Sequence, residues 1–380
     1  MKRYLRDFNY VLFFAMAVLI ALGTFSIASA GLAREAIFHK LWIDNLATAA
    51  FGLIVYFAIA KMDYREIVGY FSPAAYAVAL VFLVAVLAIG GSVYGGKRWL
   101  WFFQPSEVAK LATIIFLAKI LPALEGFRGF AIASAVIGVP ALLILAEPDL
   151  GTTLALVPAV TVMMLAAGLW RRALLALIAA GLFAAALVAG LVYEAEKPGQ
   201  TPERREKIER YLPLRPHQVK RVKIFWFPES DPSGSGYNLR QAQIAIASGG
   251  FRGRGWRKGE TNKLKYLPQS VSMNDFIFCV YAEEFGFLGS LGLLAAYAAL
   301  IVSGYWTAFR ARDLEGRLVA LGIPTLVFAH VFVNIGMSLG IVPITGLPLP
   351  FISSGRTFLV VLLAGFGFVQ SVNLHREELK

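Results

Sequence analysis

The stretch "DFIFCVYAEEFGFLGSLGLLAAYAALIVSGYWT", residues 275–307, decides the fold. After Glu284 it runs to Thr307 without a charge. About 20 such residues, at ~1.5 Å rise each, cross the ~30 Å hydrocarbon core of a bilayer. The stretch therefore reads as a membrane-spanning helix. Asp275 stands at its mouth, and Glu283 and Glu284 lie inside it. Carboxylates are expensive in such surroundings and are kept where they have a partner or a task.

The same pattern recurs along the chain. Ten apolar segments fall at approximately 8–28, 42–61, 73–91, 105–122, 129–146, 150–168, 173–193, 275–307, 318–341 and 356–373. Of the 380 residues, 58% are hydrophobic and 16% charged, with mean hydropathy +0.66. That composition excludes a soluble globular domain. The expectation is an all-α, polytopic membrane protein of about ten transmembrane helices. It is one integral membrane domain over 1–380, with a large extracytoplasmic loop at 194–273. Lys2, Arg3 and Arg6 before the first apolar run, and "ASA" at 28–30, imitate a signal peptide. The run is too long for a signal core, so it reads as a retained first span.

The net charge of +12 does not point to nucleic acid. In a membrane protein, basic residues mark cytoplasmic loops and contacts with anionic lipid headgroups. With both termini inside, 14 Lys and Arg fall on cytoplasmic segments, against five on the short outer loops (Arg34, Lys40, Lys97, Arg98 and Arg356). That asymmetry, together with an even number of spans, places both termini in the cytoplasm. The outer loop 194–273 carries 16 Lys and Arg against eight Asp and Glu, and loops this long escape the rule. Its "TPERREKIERYL", 201–212, pairs Glu203 with Lys207 and Glu206 with Arg210 at helical spacing. It reads either as a solvated helix or as an interfacial one anchored by Tyr211 and "VKIFWF", 222–227. The single cysteine, Cys279, excludes an intrachain disulfide. No internal repeat is visible, which disfavours transporters built from duplicated halves.

Five unusual stretches collect on one side by this topology. They are "GGKRWLWFFQPSEVAK" (95–110), "EPDLGTT" (147–153), "GYNLRQAQIAIASGGFRGRG" (236–255), "SMNDF" (272–276) and "GIVPITGLPLPFISSGRT" (340–357). Polar groups gathered at one end of a bundle suggest a cavity open to that face. Pro105 and Glu107 suit a first helical turn, while Lys110, three residues on, reads as the ion-pair partner of Glu107, either functional or structural. The glycines of "SGGFRGRG", 248–255, would let backbone amides approach phosphate oxygens beside Arg252 and Arg254, and equally suit a mobile loop. Pro348 and Pro350 rule out a regular helix there and imply an irregular or re-entrant segment. Asp275 reads either as a helix cap or as a functional carboxylate. On a continuous helix Glu283 would lie ~12 Å deeper and ~80° round from it, and Glu284 on the opposite face. The glutamates are then no catalytic partners of Asp275, but bonds between helices or partners of a cation.

Taken in order, "RWL" with "FQPSEVAK", "EPDLGTTL", "DPSGSGYNLRQAQIAIASGG", "DFIFCVYAEEFGFLG" and "NIGMSLGIVPITGLPLPFISSG" resemble the SEDS family (shape, elongation, division and sporulation) of bacterial membrane proteins. Within it, "NIGM" and "PITGLPLPF" look more like the elongation branch, RodA, than the division branch, FtsW. The resemblance implies an inverting glycosyltransferase that polymerises peptidoglycan strands from lipid II outside the cytoplasmic membrane, releasing undecaprenyl diphosphate. It implies Asp275 as general base, and Glu107, Lys110 and Asp149 as matching functional positions. Further substrate-binding candidates are Arg98, Trp99, Gln104, Ser106, Gln241, Ser248, Gly249, Arg252, Ser353 and Arg356. No metal-ligand cluster is recognisable, although a divalent cation, magnesium or manganese, is compatible with diphosphate chemistry. The implied partners are lipid II with the growing glycan strand, a class B penicillin-binding protein, other elongation-complex membrane proteins and membrane lipids. Three segments depart from the family pattern: "PQSVSMND" (268–275) is two residues longer and lacks its His and Thr, "SSGRT" (353–357) replaces "SYGG", and the stretch between "RW" (98–99) and "QPSE" (104–107) is shortened.

Other functions compete. A precursor flippase needs a polar path to both faces, and the inner half of each span is nearly free of charge apart from Glu283 and Glu284. A division-type polymerase would share the motifs. A non-catalytic scaffold would have no reason to keep Asp275.

Overall fold

The structure, a computed structural model, describes residues 6–31, 40–93, 96–100, 103–147, 149–197, 199–201, 204, 208, 216–260, 266–268 and 272–376. The apolar segments form helices in the expected order. They are α1 (Tyr10–Ala30), α2 (Leu41–Lys61), α3 (Tyr64–Ile89), α4 (Pro105–Ile120), α5 (Gly126–Ala146), α6 (Leu150–Ala166) and α7 (Arg171–Glu196). Two shorter helices follow in the polar connection, α8 (Pro216–Trp226) and α9 (Ser235–Ser248). The last three are α10 (Ile277–Arg310), α11 (Leu314–Leu339) and α12 (Arg356–Leu374). Eight are long and apolar enough to cross a membrane, and α4 and α6, of 16 and 17 residues, complete the ten. A small antiparallel hairpin, β1 (Gly91–Val93) with β2 (Gly96–Trp99), was not legible in the sequence. Of the "TPERREKIERYL" segment, all but residues 201, 204 and 208 lie outside the described residues, as does Arg34, while "VKIFWF" falls mainly in α8.

Local chemistry sets the helix starts. The Asn9 side chain accepts from Leu12 N at 3.1 Å to open α1, Asp149 accepts from Thr152 N at 3.1 Å to open α6, and Asp313 accepts from Gly316 N at 2.7 Å to open α11. Pro105 occupies the first turn of α4. The most apolar 18-residue windows of α11 and α12 are 78% buried, whereas that of α7 is 6% buried. α11 and α12 are therefore the centre of the bundle. α7 stands at its rim, exposing Leu175, Leu182 and Phe183 as a helix facing lipid does.

One expectation is corrected. α10 is not continuous: Gly286 has φ 65° and ψ −162°, which breaks the helical path, and Asp275 precedes the helix altogether. Because the helix starts two residues after Asp275, phase counted along a continuous helix from Asp275 does not carry over to Glu283 and Glu284. Both glutamates lie before the break, at the Asp275 end of the bundle, and they hold the loop that follows α9. Glu283 Oε1 accepts from Glu260 N at 2.8 Å, and Glu284 Oε1 accepts from Arg257 N at 3.2 Å and from Ser29 of α1. The loop also donates Arg254 N to Glu283 O at 3.0 Å and Gly255 N to Glu284 O at 2.9 Å. Phe287 N, just past the break, donates back to Gly250 O at 2.9 Å. The two carboxylates that seemed to burden a span are acceptors for a docked loop.

The crossing tolerates no side chain. A Cβ on Gly286 would lie 2.2 Å from Gly253 N, and one on Gly253 would lie 2.2 Å from Glu284 O. Gly286→Ala adds a Gly-only backbone conformation, costing ~1–3 kcal/mol, to that collision. We expect a clear fall in the thermal unfolding temperature of the detergent-solubilised protein, and no fall for Gly292→Ala, where the added methyl meets nothing within 4 Å.

Candidate functional site

Asp275 is positioned by its backbone. Asn334 Nδ2 on α11 donates to Asp275 O at 2.8 Å and to Leu347 O at 2.7 Å. Ser353 Oγ donates to Asn274 O at 2.7 Å and accepts from Leu349 N at 2.8 Å, and Ser354 N donates to Met273 O at 3.1 Å. The segment between α11 and α12 has no helix, as its prolines imply, and it clamps residues 273–275. Leu239, Ala242 and Ala245 of α9 pack on Met273, Phe276, Cys279 and Val280, closing the other flank. The Asp275 side chain is left partly buried.

The charges around it converge from distant parts of the sequence. Burial pushes the Asp275 carboxyl up to about 6; Arg221 and Arg98 pull it down and Asp149 pushes it up. Arg98, carried on β2, lies 4.0 Å from Asp149 Oδ2. Gln104 Nε2 bridges Ser106 Oγ at 3.1 Å and Asp149 Oδ2 at 3.4 Å. Arg221, on α8, donates to Thr345 O at 2.8 Å. Burial, then Arg98, depresses the Arg221 guanidinium's proton affinity, against Asp149 and Asp275. Of the sequence candidates, the structure thus gathers Arg98, Gln104, Ser106, Asp149, Asp275 and Ser353, with Trp99 beside Arg98. Arg221 and Asn334 were missed. Arg221 was hidden among the 16 cations of the loop, and Asn334 was one polar residue in an apolar helix.

Glu147 was also missed. It is fully buried, and neither of its carboxylate oxygens has a hydrogen-bond partner. Burial, with Asp149 next and Arg98 opposing, pushes its carboxyl up to about 8, so it is mostly neutral at pH 7. Among the described residues, no group of three or more His, Cys, Asp or Glu is placed to hold a metal ion.

Glu107 and Lys110 form the expected pair, Nζ to Oε2 2.9 Å, with side chains 3% and 1% exposed. Lys110 Nζ also meets His330 Nε2 at 2.9 Å, and His330 Nδ1 lies 3.2 Å from Pro348 O. An ammonium can only donate, so Nε2 accepts and Nδ1 carries the proton given to Pro348. The Phe358 ring lies 5.3 Å from the ammonium. The pair exposes almost no surface and reaches the irregular segment through His330.

The remaining candidates lie apart from this group. Arg356 pairs with Asp44 of α2 at 2.7 Å and is 64% exposed. Gly249 packs against Ala282, and a Cβ there would lie 2.2 Å from Ala282 O. Ser248 Oγ turns back to Ala245 O at 2.9 Å. Arg252 is exposed at the crossing of the loop and α10, and Gln241 is half-buried on α9.

The chain is similar to known proteins over nearly its whole length. The model of a cell cycle protein family, that of FtsW, RodA and SpoVE, matches residues 9–378. The peptidoglycan glycosyltransferase MrdB of Escherichia coli K12 is 38% identical over 346 residues, 88% of this chain and 86% of the relative. A probable peptidoglycan glycosyltransferase FtsW of Hydrogenovibrio crunogenus is 32% identical, over 97% of this chain and 92% of the relative. The solved rod shape determining protein RodA of Thermus thermophilus superposes with TM-score 0.69 at 27% identity, covering 98% of each chain. A chain from a peptidoglycan synthase complex, solved to show how polymerization and crosslinking are coordinated, superposes with TM-score 0.74 at 29% identity, covering 98% of this chain and 99% of the other.

Proposed function

Because this chain belongs to the cell cycle protein family of FtsW, RodA and SpoVE, we propose that it is a peptidoglycan glycosyltransferase of the elongation type, with Asp275 as its general base. The likeness to MrdB and the superposition on a rod shape determining protein support elongation over division. The observation that carries the catalytic reading is the Asp275 carboxylate held at one end of the bundle among Arg98, Arg221 and Asp149.

The reaction joins two lipid II units. The acceptor's 4-hydroxyl oxygen bonds to the anomeric carbon of the donor, its proton passes to the Asp275 carboxylate, and the bond to undecaprenyl diphosphate breaks with inversion. A sugar hydroxyl is a weak nucleophile, and a positioned base is worth ~10²–10⁴-fold. Diphosphate leaves without a proton, so no second acid is needed. Positive charge to meet it is needed, and Arg98 and Arg221 supply it. Glu107 and Lys110 support the segment that orients Asp275, rather than touching substrate. The distribution of Lys and Arg supports an outward-facing site with both termini in the cytoplasm. The glycosyltransferase reading is favoured over a precursor flippase, because the carboxylates of Glu283 and Glu284, the charges counted towards a second polar half, accept from the backbone of a loop at the Asp275 end. A class B penicillin-binding protein is the proposed partner, in keeping with the likeness to a chain of a synthase complex.

The test is glycan polymerisation from purified lipid II by the solubilised protein, alone and with its cognate transpeptidase. Polymer in either condition is expected, and its absence from both would sink the reading. A base must be unprotonated, and Asp275 is ionised above about pH 6. The rate should therefore be level above that value and fall about tenfold per pH unit below it. A rate that rises on acidification would assign the titration to a group other than a base.

A further inference from the structure

At the end of the bundle opposite Asp275, the start of α1, the end of α10 and the end of α12 enclose a side-facing pocket of about 500 Å³. Three arginines line it, Arg6, Arg310 and Arg376, against one aspartate, Asp7. Arg6 and Arg376 approach Asp7 Oδ1 at 3.4 and 3.5 Å, Arg376 Nη1 also donates to Asn373 Oδ1 at 3.2 Å, and Asn373 donates to Asp7 O. The floor is polar and satisfied: Ser303 Oγ donates to Asn9 Oδ1 at 2.8 Å, and Asn9 Nδ2 donates to Thr307 Oγ1 at 3.1 Å. The walls are apolar and face outward, with Val11 60%, Val302 61% and Trp306 57% exposed.

We propose that this pocket binds an anionic glycerophospholipid, its phosphate on the arginines and its acyl chains along Val11, Val302 and Trp306. Guanidinium groups recognise phosphate bidentately, and an indole at the edge of the apolar wall suits the membrane interface. The surplus of two positive charges in the lining selects a lipid with net negative charge over a zwitterionic one. Depth distinguishes a lipid from a partner's spanning helix. The α10 lining runs from Ala299 to Arg310, about 16 Å at helical rise, which is half the ~30 Å hydrocarbon core. The pocket is one leaflet deep. It lies at the opposite end of the bundle from Asp275, so it is distinct from the proposed substrate site and stands whether or not that assignment holds.

Native mass spectrometry of the full-length protein, incubated with mixed micelles of phosphatidylglycerol or of phosphatidylcholine, tests this directly. Wild type should retain phosphatidylglycerol at least several-fold over phosphatidylcholine. Arg310→Gln and Trp306→Ala, both on exposed surface, should each lose most of that retention, while Arg310→Lys keeps it in part and Arg252→Gln, at the other end, keeps it fully. Equal retention of the two lipids overturns the charge selection. Unchanged retention in both pocket variants overturns the site. Monodisperse elution of each variant in size-exclusion chromatography shows that its fold is intact.

Discussion

Asp275→Asn is expected to lower polymerisation from lipid II by ~10²–10⁴-fold with the protein still folded. Asparagine keeps the shape of the side chain, and the backbone clamp from Asn334 and Ser353 does not involve the carboxylate. Only the proton acceptor is removed. Stability should not suffer. The folded carboxyl titrates near 6, above its ordinary value of 3.8, so its ionisation opposes folding and stability is lost as pH rises through that range. A neutral isostere removes that penalty at pH 7, and the thermal midpoint of Asp275→Asn should equal or exceed that of wild type. An inactive and fully stable variant is the signature of a chemical role. If polymer forms at the wild-type rate, the base lies elsewhere and Asp149 becomes the candidate, since Glu107 is buried against Lys110 and cannot reach a sugar. Loss of activity accompanied by a fall in thermal midpoint would instead assign Asp275 to the fold.

The helices were legible because a membrane imposes a simple code: long apolar runs must be helical, and the charges between them mark the ends. Pro105 was readable as a helix start for the same local reason that places it in the structure. The site was legible only where residues declared themselves by sitting in polar stretches between spans. Arg221 did not, because which of many loop cations reaches Asp275 depends on how α8 docks. His330 and Asn334 did not, because a lone polar residue on an apolar helix looks like any other buried one. The break at Gly286 escaped notice because a glycine within an apolar run does not reveal its backbone conformation. Glu283 and Glu284 read as bonds between helices, which Ser29 of α1 makes with Glu284, but the loop that they also hold was not legible. Among the groups they accept from are backbone amides of a loop more than 20 residues upstream, and amides leave no trace in sequence.

Lys110→Met is expected to be strongly destabilising, by ~3–5 kcal/mol, because it strands a charge rather than because it removes a contact. Glu107 is 3% exposed at its side chain, its ion-pair partner is Lys110, and His330 Nε2 would lose its donor in the same step. A methionine fills the space left by the stem of the lysine but satisfies neither acceptor. The measurement is the thermal midpoint and expressed yield of the solubilised protein, set beside the double variant Glu107→Gln with Lys110→Met. With the carboxylate neutralised, no buried charge remains, and most of the lost stability should return. The double variant then separates two roles that a single substitution confuses. If stability and polymerisation recover together, the pair is a brace that holds the irregular segment beneath Asp275, as its burial implies. If stability recovers and polymerisation does not, the charged pair itself acts on the reaction, and the segment must open far enough in the working enzyme to bring it to the substrate.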